Sequence, residues 1–171
     1  MTSFPLSYPP VDRLRRNHAL EHATIHVLTQ RYRNVSLVGH STFQGFVLYG
    51  DLPTEAVFAA AQHAMDQLRS GRYELAIHAD CGTNLATSGI LAGLGAFAVL
   101  TPRRRGWQEW LNRLPLVILV STLGVLAGKR VGTLLQAQVT TNPHVGTARV
   151  AGVVREERGQ LIVHRVKIAD S

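Results

Sequence analysis

Apolar and polar positions along this 171-residue chain fall into three regimes. From Val11 to about Gln30 the apolar residues recur at helical spacing, which predicts a helix ending near "RYRN". "VSLVG" and "GFVLYG", on either side of the turn "HSTFQ", predict two short strands. Helical spacing returns in "LPTEAVFAAAQHAMDQLRSG", with a start at Pro53-Thr54-Glu55, periodic apolar residues through Leu68 and Gly71 as the stop. "YELAIH" predicts a third strand, ending at His78. The order helix, strand, strand, helix, strand describes a small α+β domain over residues 1–84.

The second regime is continuously apolar. No charged residue lies between Asp80 and Arg103, and "CGTNLATSGILAGLGAFAVLTP" can span or nearly span a bilayer at about 1.5 Å per helical residue. The loop 101–113 pairs arginines with Trp107 and Trp110, a mixture suited to a membrane interface. "LPLVILVSTLGVLAG" follows and has only 15 residues, so as a span it needs Lys129 and Arg130 to snorkel. Residues 85–130 are therefore expected to form a two-helix transmembrane hairpin; the plainer alternative is a buried hairpin of soluble helices. Gly89 and Gly93, and then Gly124, Gly128 and Gly132, are spaced four apart and smooth the helix faces. Such faces suit close helix packing, including a homo-oligomer. The third regime, residues 131–171, alternates valine with polar residues around "EERG" and predicts a β-hairpin added to the edge of the N-terminal sheet.

Charge changes the choice of partner. The formal net charge of +7 raises nucleic acid, but residues 1–84 carry seven arginines against seven acidic residues and so cancel. The excess lies in the loop 101–113 and in the tail 129–171, beside the apolar runs. This distribution fits a lipid bilayer as partner and excludes a continuous basic groove for nucleic acid. The single cysteine, Cys81, excludes an intramolecular disulfide. "MTSFPLSYPPVDRLRR" has no apolar segment of the secretory kind, and the basic residues flanking the two spans tie. The expectation is an integral, multi-pass membrane protein with its polar parts in the cytoplasm.

Candidate chemistry concentrates in two segments. On a helix, His18, His22 and His26 advance by about 40° per step and share one face. "HALEH" also fits the pattern H-x-x-E-H, in which two histidines hold a metal and the glutamate serves as base. The plainer reading gives Glu21 to helix solvation and His22 to a core hydrogen bond. "HADCGTN", residues 78–84, sets His78 and Cys81 in an H-x-x-C turn before the first apolar run. There imidazole and thiolate can converge on one ion. Alternatively, Thr83 or Asn84 caps the apolar helix. The expected ligands are His22, His78 and Cys81, with either His18 or His26 completing the set. Glu21 is the candidate general base, and Thr24 or Asn84 would orient water or substrate. Nitrogen and sulfur donors favour zinc, with ferrous iron second. His40, His63, His144 and His164 are expected on the surface or in packing roles.

"NHALEHATIHVL", "LYGDLPTEAV" and "HADCGTNLATSGILAGL" resemble an uncharacterised family of small bacterial membrane proteins with a domain of unknown function, over roughly residues 12–130. More remotely, "EHATI" and H-x-x-C-G-T-N are similar to motifs of the YqhQ-like membrane proteins, described as predicted metal-dependent enzymes. This likeness touches Glu21, His22, Thr24, Ile25, His78, Cys81, Gly82 and Thr83, and departs from the pattern at Ala79, where proline is usual. It implies a metal site more than a reaction. Three functions follow as expectations: a membrane-anchored metallohydrolase cleaving an amide or peptide bond, a non-catalytic membrane protein with a structural metal site or none, and chemistry with Cys81 as nucleophile.

Overall fold

The computed structural model describes residues 6–101 and 106–170, so Arg103, Arg104 and Arg105 of the basic loop lie outside the described residues. The chain forms two compact units, Met1–His78 with Ala137–Ser171, and Ala79–Gln136.

In the first unit, Pro9 and Pro10 pre-set the backbone for α1 (Pro9–Arg31). The strands β1 (Val38–Thr42) and β2 (Gly45–Tyr49) follow, then α2 (Thr54–Arg69), which stops at Gly71 with φ +93°. The returning chain adds β3 (Arg149–Arg158) and β4 (Leu161–Ala169), joined by a turn in which Gly159 has φ +63°. Among the described residues the sheet is antiparallel with order β1-β2-β4-β3. The C-terminal hairpin thus joins the N-terminal strands, with Phe46 opposite Val166 and Leu48 opposite His164.

The two-residue period turns Phe46, Leu48, Val166 and Ile168 to one face. There they pack with Ala19, Leu20 and Ala23 of α1 and Val57, Ala61, Met65 and Leu68 of α2. Each large side chain so buried stabilises by roughly 1.5–3 kcal/mol.

Two expectations shift within this α+β unit. β1 begins at Val38, three residues later than "VSLVG" suggested, so His40 lies in the strand and the turn shortens to Phe43-Gln44. The residue after the turn is a glycine for a steric reason: a Cβ at Gly45 would collide with the Val166 carbonyl. The third strand expected at "YELAIH" is instead a 3-10 turn, Tyr73–Ala76. The carbonyls of Ala76 and Ile77, which a strand would spend on a ladder, meet imidazoles of α1.

The second unit is a helical hairpin of α3 (Gly82–Leu100), the short α4 (Trp107–Asn112) and α5 (Leu114–Leu135), extended by a π-helical turn Gln136–Thr140. The second apolar run is therefore longer than its 15 uncharged residues: it continues through Lys129 and Arg130, both exposed. Gly124, Gly128 and Gly132 do not end the helix because α3 lies against them. A Cβ at these positions would meet the backbones of Ala92, Ser88 and Asn84 respectively. Ser88 donates to the Val125 carbonyl at 3.3 Å, and Gln136 donates to the Asn84 side chain at 2.6 Å.

Outside this seam the hairpin is apolar. Leu85, Ile90, Leu94 and Phe97 of α3, and Ile118, Leu119, Leu123 and Leu126 of α5, are each more than half exposed. Two helices, Gly82–Leu100 and Leu114–Thr140, are long and apolar enough to cross a membrane, and can be embedded in a lipid bilayer. A buried hairpin of soluble helices would hide these side chains.

Candidate metal centre

The repeat of four along α1 places His18, His22 and His26 on one face. Each ring meets a backbone carbonyl from a distant part of the same unit. His18 Nδ1 lies 2.9 Å from the Thr140 oxygen, His22 Nδ1 2.7 Å from Ala76, and His26 Nε2 2.9 Å from Ile77. A carbonyl only accepts, so the facing ring nitrogen carries the proton. In the neutral imidazole the other nitrogen then holds the lone pair that a metal requires. In His22 that nitrogen is Nε2, and in His26 it is Nδ1.

His78 lies beside this row. Its ring centroid is 5.7 Å from that of His22 and 5.2 Å from that of His26, while His18 and His22 are 4.3 Å apart. The four imidazoles expected from sequence are thus brought together within the first unit. His22 is the most enclosed, at 2% exposure, whereas His18, His26 and His78 are half-buried.

Glu21 is also buried, at 4% exposure, and its carboxylate accepts the Ser41 hydroxyl of β1. Gly39, two residues earlier on the same strand face, makes room: a Cβ there would sit 2.5 Å from Glu21 Oε1. Thr24 turns back on its own helix, donating to the Leu20 carbonyl at 2.7 Å.

Cys81 belongs to the second unit. It is buried and acts as the N-cap of α3, its sulfur accepting the Thr83 N–H at 3.5 Å, while Thr83 and Asn84, the caps of the alternative reading, lie inside the helix. Asn84 donates to the Ala79 carbonyl at 2.8 Å and accepts from Gln136. Cys81 follows His78 by three residues, a backbone tether of at most about 11 Å.

Sequence reasoning missed the partners of these side chains. Arg15, 6% exposed, donates to the carbonyls of Gln138, Val139 and Thr141 at 3.1, 2.6 and 3.0 Å. That grip holds the segment whose Thr140 carbonyl meets His18. Gly39 carried a signal, since a glycine inside a strand often marks close approach of a neighbour; Ser41 and Arg15 carried none.

The remaining histidines lie elsewhere. His40 stacks on Tyr49, His63 meets Gln67, and His144 packs edge-on against Tyr73; all three are exposed. His164 is buried in β4, and burial, reinforced by Arg155, pushes its pKa below the ordinary imidazole value. The carbonyls of Gly50 and Leu52 and the Asp51 carboxylate oppose that shift. None completes a hydrogen bond: neither ring nitrogen has a partner among the described residues.

A family model described as a domain of unknown function, DUF6391, matches residues 13–153, and the chain belongs to that family. An uncharacterized protein of Picosynechococcus sp. (strain PCC 7002) is 43% identical over 101 residues, covering 53% of this chain and 49% of that protein. The chain thus spans about half the length of the curated relative it matches. No solved structure matches.

Proposed function

We propose that this chain is a membrane-anchored, metal-dependent hydrolase of amide or peptide bonds, with His18 and His22 of α1 as imidazole ligands and Cys81 as the sulfur ligand that the H-x-x-C spacing adds. One observation carries the metal reading. His22 spends Nδ1 on the Ala76 carbonyl, which orients Nε2 as a ligand atom, and His18 Nδ1 meets the Thr140 carbonyl in the same way. His26 and His78 stand next to this group, and Cys81 adds a thiolate from the residue that caps α3. The mixed nitrogen and sulfur donors favour zinc, with ferrous iron second. When bound, such an ion polarises a carbonyl and lowers the pKa of water.

Glu21 is the general base of this reading: it is buried next to His22 in sequence and Ser41 fixes its carboxylate. The apolar hairpin is the anchor, crossing the bilayer twice with the polar unit on the cytoplasmic side. Any self-association in the bilayer would use Gly89 and Gly93, since Gly124, Gly128 and Gly132 are filled by α3. The remote likeness to YqhQ-like proteins points the same way.

A second reading is favoured by one observation: the Glu21 carboxylate is turned to Ser41 and Gly39 of β1. Here the ion is structural, in a closed set of four protein ligands, and no water is activated.

Metal analysis of the purified, detergent-solubilised protein tests both. The expected outcome is about one equivalent of metal in the wild type, lost in His22→Ala and retained in Glu21→Gln. Adding a peptide hydroxamate to the Co2+-substituted protein then separates the readings. A changed visible spectrum means an open coordination position and supports the hydrolase; an unchanged one supports the structural site. Wild type without stoichiometric metal overturns both.

A further inference from the structure

We infer that a cleft at the N-terminal end of α2 binds a free α-amino acid with an aliphatic side chain. The cleft has a volume of about 530 Å3 and is lined by Asp51, Leu52, Pro53, Thr54 and Arg155, all of the first unit. α2 starts after Pro53, which provides no side-chain cap, so the N–H groups of Thr54 and Glu55 have no acceptor among the described residues. Such a helix start favours an oxyanion, and the Arg155 guanidinium can pair with a carboxylate through two parallel bonds. Arg155 is engaged by the exposed Glu157 carboxylate at 2.6 Å, a surface ion pair that a ligand can displace or share. An anion alone would also meet Asp51, and a cation alone would meet Arg155. A carboxylate with an ammonium on the adjacent carbon suits both. Leu52 and Pro53 then supply the wall for an aliphatic side chain.

His164 points to a ligand at the same place. It is buried at 1% exposure, and neither ring nitrogen has a hydrogen-bond partner among the described residues. In the β3–β4 register it stands opposite Arg155, and directly paired residues project from the same face of a sheet. Arg155, Asp51 and the Leu52 carbonyl, all from the cleft lining, act on the ring. The unsatisfied imidazole therefore backs onto the cleft. Its one N–H and one lone pair match a ligand that brings both an acceptor and a donor. The cleft is separate from the histidine row of α1: α2 has 16 residues, about 24 Å of helix, and the Ala76 carbonyl that meets His22 follows its far end. The inference therefore stands without the metal reading.

Calorimetric titration of the full-length, detergent-solubilised protein with L-leucine tests this, beside isocaproate and isoamylamine, analogues that each lack one of the two charges. Leucine should bind about tenfold or more tightly than either. Arg155→Gln and Asp51→Asn, both at exposed positions, should each weaken leucine binding about tenfold or more. Glu157→Gln, which releases the guanidinium, should not weaken it. His164→Leu should weaken it while the far-UV circular dichroism stays that of the wild type. The affinity should be the same in metal-stripped and metal-loaded protein, so the outcome is read independently of the function proposed above. Isocaproate that binds as tightly as leucine, and more tightly still in Asp51→Asn, makes the cleft a plain anion site and overturns the inference. Leucine binding that Arg155→Gln leaves unchanged lies elsewhere on the protein and overturns it too, as does the absence of binding at millimolar leucine.

Discussion

Phe46 in β2 has no exposed surface, whereas Phe97 in α3 keeps 68% of its surface exposed. The same side chain serves two solvents. In the α+β unit apolar residues face inward at strand and helix periods, and polar groups that follow them inside find partners, Glu21 on the Ser41 hydroxyl and others on the backbone. Arg15, His22 and Thr24 all meet carbonyls. In the helical hairpin the arrangement is reversed. The small and polar residues Ser88, Asn84, Gly128 and Gly132 form the inner seam, and leucines, isoleucines and phenylalanine face out. An aqueous exterior would penalise the second arrangement by roughly 25 cal/mol per Å2 of apolar surface left in water. A hydrocarbon exterior carries no such penalty, and small residues become the packing surface.

The sharpest way to break this comparison is to truncate both phenylalanines. Phe46→Ala should destabilise the α+β unit by about 3–5 kcal/mol, since it removes a fully enclosed ring from the core. Phe97→Ala should change stability in detergent by less than about 0.5 kcal/mol. Thermal or denaturant unfolding of the two variants decides it. If Phe97→Ala costs as much as Phe46→Ala, the outer face of α3 is packed against protein, and the lipid reading fails.

A smaller effect probes the seam itself. Gly128→Leu forces a side chain against the Ser88 backbone, where there is no room even for a methyl group, and should cost about 1–3 kcal/mol of hairpin stability. Gly89→Leu, where nothing lies within 4 Å of the added carbon among the described residues, should leave the isolated hairpin's stability unchanged. Equal losses would mean that Gly89 also lies in a contact, which is the outcome a second copy on that face would produce.

The sequence made some of this legible and hid the rest for physical reasons. His18, His22 and His26 could be assigned to one face because helical spacing is a local property, and the β3–β4 hairpin because alternation around "EERG" is local too. The carbonyls that fix the rings are not local: Ala76 lies 54 residues from His22 and Thr140 lies 122 from His18. No spacing rule reaches that far. "YELAIH" failed as a strand for a related reason, because its backbone acceptors are claimed by α1. The length of α5 was underestimated where hydropathy stops at Lys129 and Arg130, although a helix needs only backbone bonds and packed glycines to continue. DUF6391 membership assigns no ligand, and the ligands and their roles rest on geometry and on the metal experiments.

His164 is the exception within the α+β unit, and it gives the smallest and most conditional prediction. Its ring is buried with neither nitrogen hydrogen-bonded among the described residues, and its pKa is lowered by burial and then by Arg155. Above the unfolded value of about 6.5, folded and unfolded chains both hold the ring neutral, and it contributes no pH dependence. As pH falls below that value the unfolded chain takes a proton that the folded chain refuses. Stability therefore declines until the folded pKa is passed, at no more than about 1.4 kcal/mol per pH unit for one proton. His164→Leu, similar in volume and without nitrogens to satisfy, should be at least as stable as wild type at pH 8 and should flatten the decline below pH 6.5. Chemical denaturation at a series of pH values measures both effects. A loss above about 2 kcal/mol at pH 8 would show instead that the ring holds the Gly50–Leu52 backbone by real hydrogen bonds. That result would remove the exception and make every buried histidine of this unit carbonyl-matched.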